Sequence, residues 1–190
     1  LVVFYLIRSD LSGFRQLDAT MREDGTWTVA LPALPPGTYR TYVTFAAPDS
    51  SVATPKRYVL SHALTVPGHA AAAQPLPKPF ASTSTDGYAV TLSGAAKSGT
   101  TSSLAIGVVK GGKPIDYFER YLDGYAHLTA FHAGDDAFAH VLSTGRSGGA
   151  GGSGALSAQT VFPESGTWRV FVQFEIGDKL HTATFTVNVP

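Results

Sequence analysis

Apolar and polar residues alternate in short stretches along the whole chain, broken at short intervals by glycine, proline, aspartate and serine. Successive side chains of a strand point to opposite faces, so this alternation marks half-buried strands, whereas a helical face would recur at every third and fourth residue. The pattern predicts strands over 2–8, 14–19, 26–31, 38–46, 57–66, 87–93, 102–110, 125–132, 137–143, 156–162, 167–176 and 180–189. No stretch carries a helical period. The fold class expected is all-β, with the punctuation of a sandwich. The first run, Leu1 to Ile7, is apolar throughout and reads as a buried strand already under way.

Two segments fall outside the alternation. Residues 68–85 combine Pro75, Pro77 and Pro79 with a run of alanines, which favours extended backbone with little to pack, so they are read as a semi-rigid linker. Gly145 to Gly154 is glycine-rich and reads as a flexible surface loop.

Sliding the chain against itself exposes an internal repeat. At an offset of 124, Val3 to Ala19 lies over His127 to Ser143 without a gap. At an offset of 129, Pro36-Gly-Thr-Tyr-Arg-Thr-Tyr-Val-Thr-Phe45 lies over Ser165-Gly-Thr-Trp-Arg-Val-Phe-Val-Gln-Phe174. In the second copy two more strands, from Asp86 to about Lys110, precede the repeated unit, and the first copy has no residues for them. The expectation is two tandem immunoglobulin-like β-sandwich domains, 1–67 and 86–190, the first lacking its N-terminal strands in this chain. A sandwich without those strands leaves open edges and a bare apolar face, so an upstream or non-contiguous segment is expected to complete it.

Charge and composition narrow the partners. Lys and Arg number 14, as do Asp and Glu, so no net field draws nucleic acid or an anionic membrane. Cysteine is absent, which removes disulfides, thiolate metal sites and thiol catalysis. No apolar run approaches the roughly 20 residues of a transmembrane helix.

Chemistry concentrates in one hairpin. A turn at Gly134-Asp135 sets Thr129 opposite His140, Phe131 opposite Phe138 and His127 opposite Leu142, all on one side. His127 and His140 then become diagonal neighbours about 7 to 8 Å apart, near enough to share an ion. Two ligands fall short of the three or four of a specific copper or zinc site, so two hydrogen-bonded, partly buried histidines are the competing reading. A turn at Gly177-Asp178 puts His181 opposite Phe174 on the apolar face; His62, His69 and His132 read as solvated. Gly107 to Lys113 has a phosphate-loop look, but Pro114 follows where a hydroxyl is needed and no helix receives the phosphate. No nucleophile elbow, ordered triad or paired-carboxylate motif appears, so no catalytic residue is assigned and the protein is read as non-enzymatic. Tyr117, Phe118, Tyr121 and Tyr125 are read as core cover.

Leu11-Ser-Gly-Phe14, Asp24-Gly-Thr-Trp27, Pro36-Gly-Thr-Tyr-Arg40, Leu64-Thr-Val-Pro-Gly68, Asp86-Gly-Tyr-Ala-Val-Thr-Leu92 and Tyr121-Leu-Asp-Gly-Tyr-Ala-His-Leu128 together resemble secreted tandem-domain proteins of actinobacteria, often labelled secreted or heavy-metal-binding. The resemblance implies an extracellular or cell-envelope location, a signal peptide or lipid anchor upstream, and no known catalysis. It also implies His-Val-His-Pro at each hairpin, and here Gln16-Leu-Asp-Ala19 and His140-Val-Leu-Ser143 stand instead. The function expected is therefore structural or protein-binding, with another envelope protein or an upstream segment completing the first domain. The alternative is copper or zinc binding by His127 and His140.

Overall fold

The structure, a computed structural model, describes residues 2–47, 56–122, 124–147 and 155–190, with side chains given for all of these except 140–147. Among the described residues there are strands and turns and no helix. The chain divides into two compact units, Leu1–Pro75 and Leu76–Pro190.

Unit 1 holds β1 (Val2–Arg8), β2 (Arg15–Leu17), β3 (Ala19–Met21), β4 (Trp27–Val29), β5 (Gly37–Ala47) and β6 (Lys56–Val66). Four of them form an antiparallel sheet in the order β2-β1-β5-β6, and β3 pairs with β4 as a separate hairpin. The single strand expected over 14–19 is in fact two, broken at Asp18, since β2 stays with β1 while β3 turns to β4.

Unit 2 holds β7 (Ser82–Thr85), β8 (Tyr88–Ser93), β9 (Thr101–Lys110), β10 (Lys113–Pro114), β11 (His127–His132), β12 (Phe138–Ser147), β13 (Ala155–Val161), β14 (Gly166–Glu175) and β15 (Leu180–Val189). One layer runs β12-β11-β14-β15 and the other β12-β13-β9-β8-β7. β12 belongs to both: Phe138 to His140 pair with β11, then a bulge between Val141 and Ser143 turns the strand onto β13. Bulges bend strands, and this one carries β12 around the edge of a sandwich. On the opposite side Phe80 bridges to Thr186 of β15 while Ala81 accepts the Leu92 amide, so residues 80–85 lead from one layer to the other. β7 lies inside the segment read as linker, and it is held by a turn at Asp86-Gly87, both with positive φ.

The core of unit 2 follows from the alternation. Tyr88, Val90 and Leu92 of β8 and Leu104, Ile106 and Val108 of β9 face Leu128, Ala130, Trp168, Val170, Val172, Phe174 and Phe185. Phe118 joins this core and Tyr125 packs partly against it, whereas Tyr117 is exposed. Gly94, just after β8, has a φ of +127° and sits where an added Cβ would lie 2.3 Å from the Ser103 carbonyl oxygen, so only glycine lets the chain leave β8 there.

Each unit contains a sheet built on the same pairing plan. Tyr5 pairs with Gln16 as Thr129 pairs with His140, Val3 with Thr44 as His127 with Gln173, and Phe45 with Tyr58 as Phe174 with His181. The repeated residues thus occupy the same register positions in both copies. Nothing in unit 1, among the described residues, corresponds to β8 or β9.

Candidate functional site

His127 opens β11 and His140 lies in β12, so the pair expected from the sequence sits on one hairpin. The observed register is Thr129 to His140, Ala130 to Ala139 and Phe131 to Phe138, the one expected from the turn. It ends there, because the bulge takes β12 onto β13; across its other edge His127 is paired with Gln173 of β14. The side chain of His140, like most of the glycine-rich segment after it, lies outside the described residues. His127 is 3% exposed, Thr129 0% and Gln173 3%, all on the side of the sheet away from the core cluster. The Thr129 hydroxyl and the Gln173 amide oxygen are buried and have no hydrogen-bond partner among the described residues. Two buried polar oxygens left in this way are costly, at about 1–3 kcal/mol each.

His181 is buried opposite Phe174, as the Gly177-Asp178 turn requires. Its Nδ1 lies 2.7 Å from Asp86 Oδ2, and its ring packs, tilted, against Tyr88 at 4.8 Å and Phe174 at 5.4 Å. Lys179 Nζ stands 3.4 Å from the same carboxylate oxygen. The hydrogen bond to His181 holds the Asp86 carboxyl below the ordinary carboxylate range. This histidine is tied to the β7–β8 turn and serves packing.

His132 departs from expectation. It is half-buried rather than solvated, because Trp168 lies beneath its ring at 5.0 Å and two carboxylates meet its Nδ1, Asp135 Oδ1 at 2.7 Å and Glu164 Oε1 at 3.5 Å. Asp135 sits in the β11–β12 turn and accepts the Ala137 amide at 3.0 Å; Glu164, in the turn before β14, gives its carbonyl to the Trp168 indole at 3.2 Å. The clue in the sequence is positional. His132 ends β11 beside Trp168 in its neighbour β14, so the turns that carry Asp135 and Glu164 open at the same end of the sheet.

Asp135 is held low, at about 2, first by the Ala137 amide and then by His132. A carboxyl depressed in the folded state stabilises it above its unfolded pKa and loses that contribution as pH falls toward the folded one. Asp135 therefore favours folding fully above about pH 4 and progressively less toward pH 2. Asp135→Asn is expected to flatten the fall of Tm between pH 4 and pH 2, as followed by circular dichroism; an unchanged slope would show that the carboxylate does not couple to folding.

Glu119, Glu175 and Asp178 also converge, but the Glu119 carboxylate accepts the Gly177 and Asp178 amides at 3.1 and 2.8 Å, which makes it the cap of the β14–β15 turn. A groove of about 350 Å³ in unit 2, beside Phe80, Leu92 and Val187, is lined by no titratable side chain. Gly107 to Lys113 is a plain β9–β10 hairpin turning at Gly111-Gly112.

The remaining feature is a surface. Phe4, Val43, Phe45, Tyr58, Leu60 and Leu64 share one face of the unit 1 sheet, by register. Their counterparts in unit 2, Leu128, Val172, Phe174, His181, Ala183 and Val187, line the core. Leu60 is 59% exposed where Ala183 is 1%, and Tyr58 is 38% exposed where His181 is 3%. β6 is the last strand of its sheet, and no described strand pairs with its outer edge.

An all-β protein with one closed sandwich, one open sheet and histidine clusters at the sandwich margins is the class these features define. The chain belongs to the family described as a domain of unknown function (DUF8832), which matches residues 83–190, the sandwich of unit 2. No curated protein matches it.

Proposed function

We propose that the protein is a non-enzymatic, exported component of the cell envelope that binds another envelope protein on the open face of unit 1. The supporting observation is the contrast between Leu60 and Ala183, equivalent positions of one repeated sheet, exposed in unit 1 and buried in unit 2. In unit 2 that face is covered by strands whose alternate residues are apolar, Tyr88, Val90 and Leu92 on β8 and Leu104, Ile106 and Val108 on β9. A partner that fits unit 1 supplies two such strands. Its main-chain groups extend the ladder at the free edge of β6, and its apolar side chains cover Val43, Phe45 and Leu60. Full burial of each large apolar side chain contributes about 1.5–3 kcal/mol. Export, with a signal peptide or lipid anchor upstream, rests on the resemblance to secreted tandem-domain proteins.

Leu60→Asp tests the face. Leu60 is exposed, so its replacement is expected to change the stability of the purified chain by no more than about 0.5 kcal/mol while abolishing partner binding. A photo-crosslinker placed at Leu60 in the native envelope is expected to join it to an alternating apolar segment of a second polypeptide, and Leu60→Asp is expected to compete poorly for that segment. Crosslinking instead to the same polypeptide, or to nothing, contradicts the reading.

A second reading, copper or zinc binding by His127 and His140, draws support from the buried Thr129 and Gln173 oxygens near His127, which have no hydrogen-bond partner among the described residues. It is separated by the double variant used below.

A further inference from the structure

We infer that His132, Asp135 and Glu164 bind one divalent transition-metal ion, with zinc the best fit, at the end of the unit 2 sandwich. Their ligand atoms all lie within 4.8 Å of one another. Around an ion with bonds of about 2.0–2.2 Å, ligand atoms stand roughly 3.0–3.6 Å apart. The 3.5 Å separation of Nδ1 from Glu164 lies within that range and the 2.7 Å separation from Asp135 falls just short of it, so small side-chain movements admit the ion.

The donor set suits this class. One neutral imidazole with two carboxylates offers two negative charges to a dication, and nitrogen with oxygen ligands is a common zinc combination. Three protein ligands leave at least one coordination position, and the exposed side chains of Asp135 and Glu164 keep that side open to water. The cluster is also preorganised. The ring of His132 rests on Trp168, and its Nε2 lies 2.3 Å from where a Cβ on residue 166 would be, so Gly166 is what makes room for it. The Ala137 amide fixes Asp135, the Trp168 indole fixes the Glu164 backbone, and the Ala133 amide bonds the Thr167 carbonyl at 2.8 Å, joining the two turns that carry the ligands. Zinc here ties the β11–β12 turn to the turn before β14. This site is separate in residues from the pair His127 and His140.

Zinc titration of the full chain by calorimetry at neutral pH tests it, with Glu164→Gln and His132→Ala as variants and with His127→Ala, His140→Ala as the discriminating double variant. The wild type is expected to bind one equivalent at this site, Glu164→Gln to weaken it by about tenfold or more, and the double variant to retain it. Glu164 is on the surface, so Glu164→Gln keeps the fold, which circular dichroism checks. Cobalt(II) gives a second readout: its visible absorption is expected in the wild type and the double variant and absent from His132→Ala. A wild type without a zinc equivalent, a Glu164→Gln protein that binds as the wild type does, or loss of the only zinc equivalent in the double variant would each overturn the assignment. The last result would instead support metal binding at His127 and His140.

Discussion

Trp168→Ala is expected to destabilise unit 2 by about 3–5 kcal/mol, the usual range for deleting a buried large aromatic. Trp168 is fully buried at 0% exposure. Its ring packs edge-on to Phe162 at 5.2 Å on the core side and supports the His132 ring at 5.0 Å, while its indole N–H donates to the Glu164 carbonyl. Alanine removes all three contacts at once and leaves a cavity that strands pinned on both sides, by β11 and β15, cannot close. Domains of this size are stable by about 5–15 kcal/mol in total. The variant is therefore expected to unfold at a much lower urea concentration than the wild type, with an unchanged slope if only stability has altered. Trp27, the other tryptophan, is 41% exposed, and Trp27→Ala is the internal control, expected to shift stability by about 0.5 kcal/mol or less. A cost below about 1 kcal/mol for Trp168→Ala would mean that the core is not organised around this residue.

Strand alternation made most of the fold legible. The turns at Gly134-Asp135 and Gly177-Asp178 fixed two registers down to individual pairs, Thr129 with His140 and Phe174 with His181. β7 escaped because prolines and alanines dominate the stretch before it, although Asp86-Gly87 is the dipeptide that most strongly marks a two-residue hairpin. The transfer of β12 between layers was hidden for a different reason. A bulge changes which edge a strand serves without disturbing its alternation, so the sequence pattern pairs His127 with Leu142 where the strand has already turned to β13.

The chemistry was less legible than the fold. His127 and His140 could be paired on paper because both belong to one hairpin. His132, Asp135 and Glu164 come from two turns, and their meeting depends on the antiparallel contact between β11 and β14, which are far apart in sequence. His181 likewise meets its carboxylate partner, Asp86, across a long sequence separation, in the turn that opens β8.

The open face of unit 1 follows from the repeat itself. Both copies build a four-stranded antiparallel sheet, and among the described residues only unit 2 has strands, β8 and β9, that pack over the face carrying Leu128, Val172 and Ala183. A sheet buried on that side opens only when the whole domain does, whereas one exposed along its edge strand, as β6 is, opens locally there, with fewer buried apolar contacts to break. Tyr58 and Leu60 are exposed on β6, whereas their counterparts His181 and Ala183 on β15 are buried.

Hydrogen exchange of the purified chain, read at the amides that join β5 to β6 and at those that join β14 to β15, is the direct measurement of this difference. The β5–β6 amides are expected to exchange about a hundredfold faster or more, as local opening replaces global unfolding. Equal protection of the two ladders would contradict the account, because it would mean that the face carrying Leu60 is already covered and has nothing to offer a partner.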